Sequence, residues 1–368
     1  MLAVAVLVVV VWALAIGTVA VWRVITHGTT TVWDHLEYPG RDLSPSPDPR
    51  PWVVAATPMT LPVVEISGET MPLESILAER DTLSFLVVSD GEIVYEWYAP
   101  DHGRETPSML FSVSKSVFSL MVGAAVHDGL LNTEDPLSTW VPELGERGFT
   151  DTIPNLLTMR SGSSYVENDN PFGVHVEFNY TDELEGDILG LAADGPRVFR
   201  YKSGDYAVVS LALKRALGTR TLTDYLTAAL WNPLGAEDDG KWSTDHEDGL
   251  ERVWCCLAMT ARELARFGQL VVNGGEWGGE QLISPEWIAA SLEPAVPEDE
   301  WAAYADSAFD NYGYGWWLTE SAAVGFGKDG QYLYVDPDRR VVVVRLGDSQ
   351  GGIGWVEILA RVAEMAAG

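Results

Sequence analysis

Strand-forming runs stand at the two ends of this chain, and a long helix-rich stretch keeps them apart. Near the start, Leu83–Val88 and Ile93–Tyr98 are joined through Asp90-Gly91, a dipeptide that supplies the positive φ angles of a tight hairpin. Near the end come Gly313–Leu318, Gln331–Val335 and Val341–Leu346, with Asp336-Pro337-Asp338 turning between the last two. Residues 112–300 read as helices and loops. Strands this far apart in sequence bury their apolar faces by joining one sheet, so the pattern predicts an α+β domain. Its antiparallel sheet is formed by both ends of the domain and flanked by helices, with a mainly helical lobe inserted. Trp355–Ala367 reads as a closing helix, apolar at 355, 358, 359 and 362.

Ahead of this domain, Met1–Trp22 carries no charged residue; as a helix it would be about 33 Å long, enough for a bilayer core. No Lys or Arg precedes the apolar stretch, so residues 1–22 are expected to form an uncleaved transmembrane anchor. Thr18-Val19-Ala20 gives a cleaved signal peptide as the other reading. The domain that follows is expected on the extracytoplasmic side of the membrane, although Arg23 taken alone points the other way. Pro45, Pro47, Pro49 and Pro51 alternate with Ser, Asp and Arg, so residues 23–60 read as a stiff Pro-rich linker. Residues 61–368 are left for the globular domain.

Hydrophobic residues make up 47% of the chain, which excludes wholesale disorder. The 23 Lys+Arg against 54 Asp+Glu give a net charge of -31. Such a surface repels phosphate, so nucleic acid is excluded as a partner. Cys255 and Cys256 are the only cysteines, which excludes a disulfide framework and a cysteine-based zinc site. Both are expected to be core thiols. The histidines show neither HExxH nor HxH spacing, so no metal and no organic cofactor is expected.

The chemistry concentrates at Ser112-Val113-Ser114-Lys115, the one Ser-x-x-Lys in the chain. A helix is expected to begin here, with apolar residues at 113, 117, 120, 121 and 124, and with Ser112, Lys115, Ser116 and Ser119 on another stripe. Residues i and i+3 share a helix face, so the amine can reach the hydroxyl. The helix N-terminus aims backbone N–H groups at negative charge forming on Ser112. A free lysine holds its proton at neutral pH; bringing it to a pKa of 7 takes roughly 4.6 kcal/mol, which burial or a neighbouring cation can supply.

Two further motifs follow, Tyr201-Lys202-Ser203 and Lys328-Asp329-Gly330. In this order the three resemble the signature motifs of the serine β-lactamase and penicillin-recognising superfamily. Within it they are most similar to the class C-like branch that includes family VIII esterases and 6-aminohexanoate-oligomer hydrolases. Supporting stretches are Leu156-Leu157-Thr158-Met159-Arg160-Ser161-Gly162, the run from Thr260 to Gly268, Gly330-Gln331 leading into Val335-Asp336-Pro337, and the paired cysteines before Thr260. The resemblance covers about residues 70–365 and implies the α/β sandwich of that superfamily.

It also implies roles. Ser112 would attack a carbonyl and carry the acyl group. Lys115 and Tyr201 would share the proton traffic, with Lys115 and Lys328 as the cations that make the phenol a usable base. Ser203 and Lys328 would bind substrate. The oxyanion hole would use the backbone N–H of Ser112 and one from the strand after Gly330, that of Gln331. Ser203 stands where β-lactamases of this branch usually place Asn, and Asp329 where Thr or Ser is usual. Asp329 would repel the carboxylate of a β-lactam.

The expected activity is therefore hydrolysis of a small-molecule amide or ester through an acyl-enzyme. The alternatives are a β-lactamase or D-Ala-D-Ala-type peptidase on the same residues, and a catalytically silent, membrane-tethered binding module. Gly347-Asp348-Ser349-Gln350-Gly351 imitates a nucleophile elbow, but no histidine follows Ser349, which excludes the α/β-hydrolase order.

Overall fold

The computed structural model describes residues 30–66, 68–168, 170, 173–304 and 308–368. The transmembrane anchor expected over 1–22 lies outside the described residues. Among the described residues no helix is long and apolar enough to cross a membrane.

The segment expected to be a free linker is packed over much of its described length. Gly40–Leu43 (β1) pairs antiparallel with residues 240–243, and Val53–Val54 (β2) pairs in parallel with residues 92–93. The prolines do not prevent this, because the residues between them keep their N–H groups. Ser46 donates to the carbonyl of Ala236 at 2.8 Å and Arg50 to that of Gly235 at 2.9 Å.

The first hairpin forms as its turn dictates. Thr82–Ser89 (β3) and Glu92–Tyr98 (β4) pair antiparallel, with Asp90 and Gly91 at φ 46° and 83°. Ser108–Met109 (β5) leads into the helix Val113–His127 (α1). The helical lobe includes Ser203–Leu217 (α2). Next come Gly240–Ser243 (β6), Leu257–Met259 (β7) and Ala261–Val272 (α3). After the short helix Glu298–Tyr304 (α4) the C-terminal strands are Asn311–Tyr312 (β8), Trp317–Leu318 (β9), Ala323–Gly327 (β10), Gln331–Asp336 (β11) and Val341–Gly347 (β12). Val356–Ala366 (α5) closes the chain.

The main sheet has eight strands in the order β8-β9-β10-β11-β12-β3-β4-β2, so the two ends of the domain meet at β12 and β3. Val342 pairs with Val88 and Val344 with Leu86. Only the edge strand β2 runs parallel to its neighbour. Every residue of β12 is buried, as a strand covered on both faces must be; α3 and α5 both pack against it. A mixed fold of a sheet flanked by helices, with a helical lobe between its halves, is what the strand pattern predicts. The run Gly313–Leu318 is not one strand, because Gly315 turns the backbone at φ 82°.

Strand β10 was not foreseen. Its glycines lack the side chains that signal a strand, and they are there for close approach. A Cβ on Gly325 would lie 2.9 Å from Ser116 Oγ, and one on Gly327 would lie 2.5 Å from the Leu110 carbonyl. The strand therefore runs directly against the start of α1. That helix is buried from Val113 to Ala125, including the stripe expected to be polar. Ser116, for example, donates to the Gly315 carbonyl at 2.6 Å.

Candidate active site

Ser112 sits where β5 turns into α1. The residue before it, Phe111, has φ 46°, a left-handed conformation that a bulky side chain adopts only when its surroundings enforce it. The Ser112 hydroxyl does not cap the helix. It accepts instead from Lys115 Nζ at 2.9 Å, as the i, i+3 spacing predicts. The second acceptor for that amine is the Trp254 carbonyl at 3.0 Å. Burial lowers the Lys115 pKa to about 8, against an upward pull from Glu167. At pH 7 roughly a tenth of the amine is then neutral and able to take a proton.

Tyr201, just ahead of α2, reaches the same hydroxyl. Its ring lies 4.9 Å from Lys115 Nζ and stacks on Trp317, with centroids 5.4 Å apart and planes 11° apart. Burial pushes the phenol well above its usual range, the neighbouring Tyr312 and Glu167 add to this, and a hydrogen bond with Ser112 opposes it. Desolvation is the largest of these influences, and it opposes the expected activation of the phenol as a base, while the Lys115 cation stays beside its ring.

Lys328 is engaged by other groups. Its amine donates to the Thr30 carbonyl, lies 5.2 Å from the Phe111 ring centroid and stands 3.5 Å from Asp329 Oδ2. It borders a cleft of about 150 Å³ that is also lined by Ser112, Glu167, Ser203 and Cys255. Ser203 meets Glu167, with its N–H at 2.7 Å and its hydroxyl at 2.8 Å from the carboxylate. Lys202 between them points inward, to the Ser161 carbonyl at 2.6 Å and to Asp205 at 3.4 Å. That contact accounts for the Ser161-Gly162 stretch as support beneath the second motif.

The third motif is a tight turn between β10 and β11. Gly330, at φ 79°, gives its carbonyl to the buried Arg345 guanidinium at 2.7 Å. Gln331 is buried and its side chain is spent on backbone, donating to the Gly347 carbonyl at 2.6 Å and accepting from the Gly347 N–H at 3.2 Å. Neither residue borders the cleft. The backbone beside the Ser112 N–H is that of Gly327, whose ideal Cβ would be 3.2 Å from it. The end of β10, at Gly327, is thus the strand backbone that lies against the Ser112 N–H.

Three contributors escaped the sequence reading. Glu167 lies in a loop without a pattern, next to His175 at 3.5 Å. Trp254 acts through its backbone, which no side chain advertises. Gly327 lies on the unforeseen strand. A fourth difference concerns the cysteines: Cys255 and Cys256 are joined to each other as a disulfide and are not core thiols. Ser349 of the imitation elbow donates to Asp81 at 2.6 Å, apart from the cleft.

The chain has known counterparts in sequence and in fold. The β-lactamase family profile matches residues 73–363. A 6-aminohexanoate-dimer hydrolase from Paenarthrobacter ureafaciens is 28% identical, covering 74% of this chain and 74% of its own. A solved structure from Bacillus anthracis, named as a candidate 6-aminohexanoate-dimer hydrolase, superposes with a TM-score of 0.74 at 22% identity, covering 91% of this chain and 92% of that one. The structure of EstCE1, described as a hydrolase with promiscuous acyltransferase activity, gives a TM-score of 0.63 at 17% identity over 80% of this chain and 96% of its own. At such identities the two structural matches bear on the fold.

Proposed function

Because the chain belongs to the β-lactamase family, we propose that it is a serine hydrolase that opens an amide or ester through an acyl-enzyme on Ser112. The observation that carries this reading is the buried Lys115 amine, 2.9 Å from the Ser112 hydroxyl and partly neutral at physiological pH.

Neutral Lys115 takes the proton of Ser112 as the oxygen attacks the carbonyl carbon. The resulting oxyanion is received by the Ser112 N–H together with a backbone N–H of the neighbouring strand β10, which lies against it at Gly327. As the tetrahedral adduct collapses, the bond from carbon to the leaving amine or alcohol breaks. Tyr201 gives its proton to that leaving group and is reprotonated from Lys115. Water then attacks the acyl-enzyme, its proton passing to Lys115, and Ser112 recovers a proton as the acid departs.

A fluorophosphonate probe should label the chain and should lose its target in Ser112→Ala; persistent labelling of that variant would remove Ser112 from the nucleophile's role.

The substrate class follows from Asp329. Its carboxylate stands 3.5 Å from Lys328 Nζ and partly cancels the one cation bordering the cleft among the described residues. A substrate without an anion beside the scissile bond is favoured, as in an oligomer of 6-aminohexanoate or a short-chain ester. A 6-aminohexanoate dimer and a nitrophenyl ester should therefore be turned over in preference to a chromogenic cephalosporin. Asp329→Thr should raise cephalosporin turnover by roughly tenfold, the worth of about 1.4 kcal/mol of relieved repulsion. Preference of the parent chain for the cephalosporin would defeat the argument from Asp329.

A further inference from the structure

We infer that the Cys255–Cys256 disulfide is a positioning device for the base: it fixes the turn whose Trp254 carbonyl holds the Lys115 amine against Ser112. The inference rests on the proposed role of Lys115. It adds that the geometry of that lysine depends on a covalent bond elsewhere in the chain.

Lys115 Nζ has two acceptors, and they have different origins. Ser112 Oγ lies on its own helix, whereas the Trp254 carbonyl belongs to the loop between β6 and β7, 139 residues away. Without that carbonyl the long, unbranched lysine side chain has one partner and several rotamers; with it, one N–H is committed and the lone pair is steered towards the hydroxyl. The orientation of the 254–255 peptide is therefore a condition for proton transfer.

That peptide is held from both sides. The Trp254 indole N–H donates to Asn179 Oδ1 at 3.0 Å. On the other side, the disulfide closes a small ring that contains the peptide bond between Cys255 and Cys256. The two backbone torsions inside the ring, flanking the 255–256 peptide, cannot then rotate independently, which fixes the Cys255 Cα on which the 254–255 peptide is mounted. The ring is tethered in turn, since the Ser243 N–H donates to the Cys256 carbonyl at 2.9 Å and the Cys256 N–H to that of Arg252 at 3.2 Å. A chain running from β6 through the ring to Trp254 thus ends on the lysine.

Cys255 is half-buried and borders the cleft, so a small reductant can reach the bond. Dithiothreitol would pass two electrons and two protons to the sulfurs, leaving thiols on Cys255 and Cys256 and the reagent as its own cyclic disulfide. The S–S bond breaks and nothing else in the chain changes covalently.

The test compares the full chain oxidised, reduced and reoxidised, with thiols counted by mass after alkylation and a nitrophenyl ester as substrate. Reduction should lower kcat by roughly tenfold to a hundredfold, the scale of a misplaced catalytic group, with KM held within about twofold. The acid limb of the pH–rate profile should move to lower pH, because the protonated amine loses an acceptor. Reoxidation should restore both. The double variant Cys255→Ala, Cys256→Ala should show the reduced profile and no response to the reagent. Reduced protein that keeps its kcat and its acid limb overturns the inference. A change in KM alone also overturns it, making the disulfide a wall of the cleft. Oxidised protein without turnover that depends on Ser112 removes the reading of the base, and this inference with it.

Discussion

A chain carrying Lys115→Met should turn over substrate no better than one carrying Ser112→Ala, a loss on the order of 10⁴-fold or more for groups that act as one unit. The reason is local. Lys115 is the amine hydrogen-bonded to the Ser112 hydroxyl, and burial raises the Tyr201 pKa, which disfavours the phenolate that would have to replace it. In the parent chain kcat/KM should rise with pH through about 8, as the buried amine loses its proton. An acid limb near the ordinary carboxylate range would displace Lys115 from this role.

The same substitution bears on stability, with a sign that follows from the same number. Lys115 holds its proton less tightly folded, at about 8, than unfolded, at about 10.4, so the unfolded chain binds more protons between those values. Stability of the parent should rise with pH across that window. The penalty, on the order of 3 kcal/mol, is present in full below pH 8 and gone above pH 10.4. Lys115→Met lacks it. The melting temperature of the variant relative to the parent should therefore be most favourable at pH 7 and should fall by pH 10.5. Parallel melting curves at the two pH values would show that the amine is not buried as described.

Tyr201→Phe should separate two chemistries that Ser112→Ala abolishes together. Removing a general acid typically costs 10²–10⁴-fold, and the cost should fall on substrates whose leaving group needs a proton. Turnover of an amide such as the 6-aminohexanoate dimer should drop by about that amount. Hydrolysis of a nitrophenyl ester, whose leaving anion departs unprotonated, should drop far less. The acid limb near pH 8 should stay in place, because Lys115 sets it. If ester and amide turnover fall equally, Tyr201 deprotonates Ser112 and the division of labour drawn from burial is wrong.

The parts of this protein that were legible in its sequence are those whose physics is local. Asp90-Gly91 specifies a turn whatever surrounds it, and valines at 341–344 specify a strand buried on both faces. Ser112 and Lys115 are three residues apart on a helix, so their contact needs no tertiary knowledge. What stayed hidden depends on distant partners. Gly325 and Gly327 read as breakers until α1 is seen lying against them. Gln331 follows the third motif in sequence, yet its side chain is used up on Gly347, a residue of β12. The direction of the Tyr201 pKa could not be read either. A motif shows which cations are near in sequence, whereas burial among Tyr312, Trp317 and Glu167 arises only on folding.

Thr30 receives the Lys328 amine, the Val32 carbonyl receives the Met109 N–H at 3.0 Å, and β1 forms the edge of the sheet β1-β6-β7-β5 that delivers Ser112. Residues 30–43 thus form a strap tied to the site's surroundings, with Thr30 and Tyr38 in the lining of the cleft. Clipping that strap by proteolysis would disturb the nucleophile from outside the matched family region, and loss of turnover would report the cut before any change in overall shape did.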